Sequence, residues 1–201
     1  HDIANSASAQ RIEQDIRTLV SFGTRHTLSE TESETRGIGA ARRWIKSEFD
    51  KTSAACKGCL EVFYQQDLVP KGDGARIVKD VMVVNVVAIQ RGTKYPNRFI
   101  IMSGDIDSRV SDPTDFTSDS PGANDNASGM AGTIEAARVL SKYKFENSII
   151  YVGLSGEEQG LYGGKGLAAY AKDKGWEIIG ILNNDMIGNI QGVDGVIDNR
   201  T

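Results

Sequence analysis

The spacing of apolar residues divides the chain into a helical opening and an alternation of strands and helices. Ile12, Ile16, Leu19 and Val20 recur at helical spacing, as do Ile38, Ala41, Ile45 and Phe49 after the polar segment SETESETR. LEVFYQQDL (60–68) reads as a strand, followed by the turn segment PKGDG. VMVVNVVAI (81–89) is almost continuously apolar, which suits a strand buried on both faces. These first two strands are expected to pair antiparallel. RFIIMS (98–103), SIIYVGL (148–154) and EIIGILN (177–183) read as further strands. Between them fall a long polar loop running to residue 124, a helix with Met130, Ile134, Ala137 and Leu140 on one face, and a helix over Tyr162–Lys172. The pattern predicts an α/β fold: three layers, α/β/α, around a central mixed, mostly parallel sheet.

Composition narrows the function more than the fold. The chain has 201 residues, the size of one domain with a full core, and a net charge of -4. No Lys/Arg block is visible, so nucleic acid is not an expected partner. No apolar run approaches the length of a membrane span. The start HDIANSASAQ lacks Met and reads as processed or trimmed, which fits an exported protein. Cys56 and Cys59, in CKGC, close a helix and precede a strand, the reverse of a thioredoxin-like motif. Two sulfur ligands are too few for a zinc site, which leaves a small local disulfide or two quiet thiols. A disulfide would suit export. No feature of the sequence specifies an oligomeric state.

The acidic residues fall where strands end. Asp105 and Asp107 follow the strand ending at Ser103, Glu157 and Glu158 follow the strand ending at Leu154, and Asp185 follows the strand ending near Leu182. Asp125 opens the helix between two of these strands. Singly, each reads best as a helix cap, a turn former or a first-turn acid. Jointly they converge on the carboxyl ends of the strands, where open α/β sheets bind ligands. Like charges so placed raise one another's pKa, and Arg109 could neutralise one of them. Divalent cations are the simplest compensation, because oxygen-rich sites bind metals.

Three ordered motifs, PGANDNASGM (121–130), LSGEEQGLYGG (154–164) and NNDMIG (183–188), resemble the zinc aminopeptidases of the bacterial leucyl aminopeptidase type. That family includes glutamate carboxypeptidase and, more distantly, glutaminyl cyclase. The resemblance covers residues from about 80 to 190. It implies a single metallopeptidase-like catalytic domain over 1–201, lacking its C-terminal strands. By position it implies that Asp125 bridges two metal ions, Glu158 ligates one, Asp185 ligates the other, and Glu157 is the general base. It also implies a cis peptide between Asp125 and Asn126. The activity expected of the parent protein is hydrolysis of N-terminal residues from peptide substrates by metal-activated water, with the isolated chain expected to be weakly active or inactive.

Two departures qualify the resemblance. The family's first motif is His-x-Asp, and here SGDIDS puts Asp105 at the position of the metal-binding His. Asp107 matches the acid that orients that His and so loses its partner; it is expected to pair with Arg109 or to lean toward the metal. Asp105 is retained as a ligand. A more carboxylate-rich site keeps zinc as the first expectation but opens it to manganese, magnesium or calcium. The family's last His ligand comes from beyond the NNDMIG strand, whereas the only histidines here are His1 and His26. His26, in GTRHTLS, is expected to be a hydrogen-bonded or surface residue rather than a ligand. These departures keep open a catalytically impaired pseudo-peptidase or binding domain, and a related amidohydrolase or glutaminyl-cyclase-like enzyme.

Overall fold

A computed structural model describes residues 2–192 and 194–197. A short turn of helix at Ala4–Ser6 precedes α1 (Ala9–Ser21) and α2 (Gly37–Ala55). Then come β1 (Leu60–Val69), β2 (Val81–Gln90), β3 (Tyr95–Asp105), α3 (Gly129–Leu140), β4 (Asn147–Leu154), α4 (Tyr162–Asp173) and β5 (Glu177–Asn184). The Ser8 side chain caps α1 by accepting from the Arg11 amide.

The five strands form one sheet in the order β1-β2-β4-β3-β5. β1 pairs antiparallel with β2 as expected, β2 pairs antiparallel with β4, and β3 pairs parallel with both β4 and β5. The sheet is therefore evenly mixed rather than mostly parallel. The four residues 91–94 reverse the chain between β2 and β3, and β4 then inserts between these opposed strands.

Both faces are covered, which explains the unbroken apolar run of β2. Val86 and Ala88, with Ile149 and Tyr151 of β4, face α1, α2 and α3 through Leu19, Ile45, Phe49 and Ile134. The alternate residues Val87, Ile89, Ile150 and Val152 face α4 through Leu167. This period of two places helices on each side, giving the three layers. β5 is one edge strand and β1 the other; Ile181 and Leu182 of β5 are exposed. Cys56 and Cys59 are joined in a disulfide, so of the two readings left open for CKGC the disulfide holds.

Candidate metal centre

The carboxyl ends of β3, β4 and β5 lie side by side, with Asp105 opposite Leu154 and Gly104 opposite Asn184. Asp105, the Glu157–Glu158 turn and Asp185 thereby share one edge of the sheet. The turn after β4 uses Gly156 and Gly160 at φ +70° and +129°, values that disfavour any side chain. It closes through the Tyr162 amide on the Gly156 carbonyl and the Gly163 amide on the Ser155 carbonyl.

The fourth segment arrives through Asn126. Its Nδ2 donates to Asp105 Oδ2 at 3.2 Å and to the Asn184 carbonyl at 2.9 Å, and its Oδ1 accepts from the amides of Gly129 and Met186. One amide side chain thus joins β3, the start of α3 and the end of β5. Gly129 permits this approach, since a Cβ there would stand 2.1 Å from the Asn184 carbonyl oxygen. The Asp125–Asn126 peptide is cis, as the resemblance implies.

Asp107 is fully buried and does not pair with Arg109. Its carboxylate accepts from Thr27 Oγ1 at 3.0 Å and from the backbone amides of Glu157 and Glu158 at 3.2 and 3.0 Å. Both oxygens are engaged, so Asp107 does not lean toward a metal either. It fixes the backbone that carries the two glutamates. Arg109 instead donates to the Glu158 carboxylate, an ion pair in which Glu158 is largely buried. The Glu157 carboxylate, half-buried, accepts no hydrogen bond among the described residues. The adjacent glutamates therefore differ: one is tied and one is free.

The edge is short of positive charge. Burial, then the charges of Asp107 and Glu157, push Asp105 up to about 7. Burial pushes Asp107 up to about 6 against its hydrogen bonds, and burial together with Asp107 and Glu158 pushes Glu157 up to about 7. Asp185, which is exposed, is raised by desolvation and by Asp125. One buried cation offsets part of this charge and was not singled out from the sequence. Arg25 is fully buried and donates to the carbonyls of Leu19, Ile106, Pro121 and Gly122 at 2.7–3.1 Å. Burial lowers its pKa to about 10 against the pull of Asp107 and Asp125. Nothing in GTRHT distinguishes this arginine from a surface one.

Hard oxygen donors and uncompensated negative charge fit a divalent cation in their chemistry. Among the described residues, no three His, Cys, Asp or Glu side chains are yet gathered to hold one ion. The Arg109–Glu158 pair accounts for one of the expected ligands being engaged elsewhere. His26 adds no ligand: it is buried, its Nδ1 accepts from the Leu28 amide, and its Nε2 lies 2.9 Å from the Pro113 carbonyl and 3.2 Å from Gln159 Nε2. His1 lies outside the described residues.

Residues 85–196 match Peptidase family M28. A protein of Pyrenophora tritici-repentis named "Probable zinc metalloprotease" is 40% identical over 197 residues, covering 98% of this chain and 45% of that protein. The chain thus spans less than half the length of this relative. Among solved structures, LapB from Legionella pneumophila aligns with a TM-score of 0.72 at 21% identity, over 96% of this chain and 47% of that one. The LapA aminopeptidase of the same organism aligns with a TM-score of 0.65 at 20% identity, over 90% and 43%. These two share the fold. From the extent of the family match and the identity to the fungal relative, the chain belongs to peptidase family M28.

Proposed function

We propose that the protein is a metal-dependent exopeptidase that removes N-terminal residues from peptides at the carboxyl edge of this sheet. Membership of a peptidase family supports hydrolysis, and the relative named as a zinc metalloprotease supports zinc. The aminopeptidase reading draws on the three sequence motifs and on a fold that LapA aminopeptidase also has. The observation that carries the proposal is the contrast at the turn: Glu157 keeps a free carboxylate at about 7, beside a partner held by Arg109.

Asp105, Asp125, Glu158 and Asp185 would hold two divalent ions, which would supply charge stabilisation and acidify a water. Glu157 would take a proton from a water at the site and deliver it to the departing amine, a role that its free, half-buried carboxylate suits. Asp107 acts through the backbone, keeping Glu157 over the site by holding its amide. Arg109 holds Glu158 Oε2, so Glu158 would serve as a ligand through Oε1 or after Arg109 releases it. The Cys56–Cys59 disulfide supports an exported protein, since such bonds persist in oxidising compartments.

The test is Glu157→Gln in the zinc-loaded protein, assayed on leucine p-nitroanilide alongside calorimetric metal titration. We expect activity to fall by about a hundredfold or more with the metal stoichiometry unchanged. Undiminished activity would remove Glu157 from the chemistry. The Arg109–Glu158 pair favours a second reading, an impaired domain on the same scaffold. That reading predicts one weak ion or none in titrations with zinc and manganese, where the first predicts two.

A further inference from the structure

Resting on the peptidase reading above, we propose that the cleft between α2, the start of β2 and the 112–119 segment binds a carboxylate on the part of the peptide beyond the scissile bond. The substrates would be short peptides carrying that carboxylate as a C-terminus or an acidic side chain.

The cleft has a volume of about 840 Å³. Arg42 and Lys79 line it, and among the described residues neither forms an ion pair. Arg42 is half-buried and donates no side-chain hydrogen bond among the described residues. Burial holds its pKa below the ordinary value against the pull of Tyr64, with Arg43 adding to the lowering and Glu32 opposing it. A partly desolvated guanidinium without an acceptor is an unfavourable arrangement that an incoming carboxylate would relieve. Lys79 Nζ sits 4.2 Å above the Phe116 ring, which holds the ammonium at the wall of the cleft.

The other charges lining the cleft are already engaged. Arg36 pairs with Asp119 at 2.7 Å and donates to the Thr117 carbonyl, anchoring the loop that forms the opposite wall. Glu30 accepts from the amides of Glu32 and Ser33, and Asp80 accepts from the Lys71 amide at 2.8 Å. Glu30 does feel the charge of Lys79, but not as an ion pair. This leaves Arg42 and Lys79 as cations outside any ion pair among the described residues, in a cleft that the carboxylates of Glu30 and Asp80 also line.

The position connects the cleft to the carboxylate edge. Thr27 lines the cleft and donates to Asp107, the residue that holds the Glu157 and Glu158 amides. Phe116 packs against the ring of His26, which in turn contacts Gln159 next to Glu158. The cleft lies on the β2 side of the sheet, away from the open β5 edge. A peptide with its amino end among the carboxylates would run across the turn toward Arg42 and Lys79, so charge falls in order along it: amine to acids, carboxylate to bases.

The experiment uses three tetrapeptides with N-terminal Leu: Leu-Ala-Ala-Ala, its C-terminal amide, and the amide with Asp at the third position. KM and kcat are measured on the zinc-loaded protein, and binding of the same peptides to the metal-free protein is followed by NMR. We expect the two carboxylate-bearing peptides, or whichever one carries its charge at the right reach, to show a KM roughly tenfold lower than the neutral amide. Arg42→Gln with Lys79→Gln should abolish that preference, bringing the KM values of acid and amide peptides together. Equal KM values in the wild type, or a preference that survives the double substitution, would overturn the proposal while leaving the peptidase reading intact. If no peptide is hydrolysed by this chain or by its full-length parent, the peptidase reading fails. The cleft is then judged by binding alone, where equal or absent binding of acid and amide forms refutes it.

Discussion

Replacing Asp105 by Asn should stabilise the metal-free protein at high pH and weaken its hold on metal. Asp105 is buried, and its pKa lies at about 7 against an ordinary 3.8. Unfolding restores the ordinary value. Between pH 4 and 7 the unfolded chain has released this proton while the folded chain keeps it, so stability falls as pH rises across that window and stays low above it. At about 1.4 kcal/mol per pH unit, the full difference is roughly 4 kcal/mol, an upper bound because Asp107 and Glu157 share the repulsion. About 2 kcal/mol is the working expectation for Asp105→Asn at pH 8. The amide keeps an oxygen for Asn126 Nδ2, so packing and the bond between segments survive. Urea unfolding of the two metal-free proteins at pH 8 and pH 4 measures the effect. The gain should be near 2 kcal/mol at pH 8 and close to zero at pH 4, where both side chains are neutral. A variant no more stable than the wild type at pH 8, or a gain independent of pH, would refute the picture of repelling buried carboxylates. Calorimetry should show the opposite sign for zinc, because the variant removes a charge the ion would neutralise.

Asp107→Ala orphans the Glu157 and Glu158 amides and the Thr27 hydroxyl, and should cost about 2–4 kcal/mol in urea unfolding; a loss under 1 kcal/mol would mean the turn is held by other contacts. Arg109→Met frees the Glu158 carboxylate and should strengthen zinc binding by about tenfold in calorimetry, whereas weaker binding would assign Arg109 a supporting role at the site. Reducing Cys56–Cys59 opens a loop with a sequence separation of 3 and should lower stability by only about 2 kcal/mol in denaturant titration with and without reductant.

The elements were legible because their signals are local. The helical spacing of Ile38, Ala41, Ile45 and Phe49 and the continuous run of β2 each follow from a face that must be buried, and all four are core residues. The expected strand starting at Arg98 begins instead at Tyr95, which pairs with Asn147 ahead of a register shift before Phe99, an irregularity without a hydrophobic signature. The candidate site was legible as a set of positions: Asp105, Asp107, Asp125, Glu157, Glu158 and Asp185 lie on the segments at the carboxyl edge, where burial and neighbouring acids raise Asp105, Glu157 and Asp185. Their partners were not legible. Arg109 could face either Asp107 or Glu158 from two residues after Asp107, and only the packed turn selects Glu158.

By itself, then, the sequence determined what depends on neighbours along the chain: the helices and strands, the α/β class, the acids placed after strand ends, and the motifs of an M28 peptidase. Tertiary structure alone decided what depends on residues distant in sequence. It inserted β4 between β2 and β3, which made the sheet evenly mixed. It buried Arg25 beneath the acids and turned Asp107 into the holder of the turn. It also left Arg42 without an ion-pair partner among the described residues, beside an open cleft. The physical reason is common to all of these. Local pattern reports which side chains must leave water, but charge pairing and hydrogen bonding depend on which groups meet once they have left it.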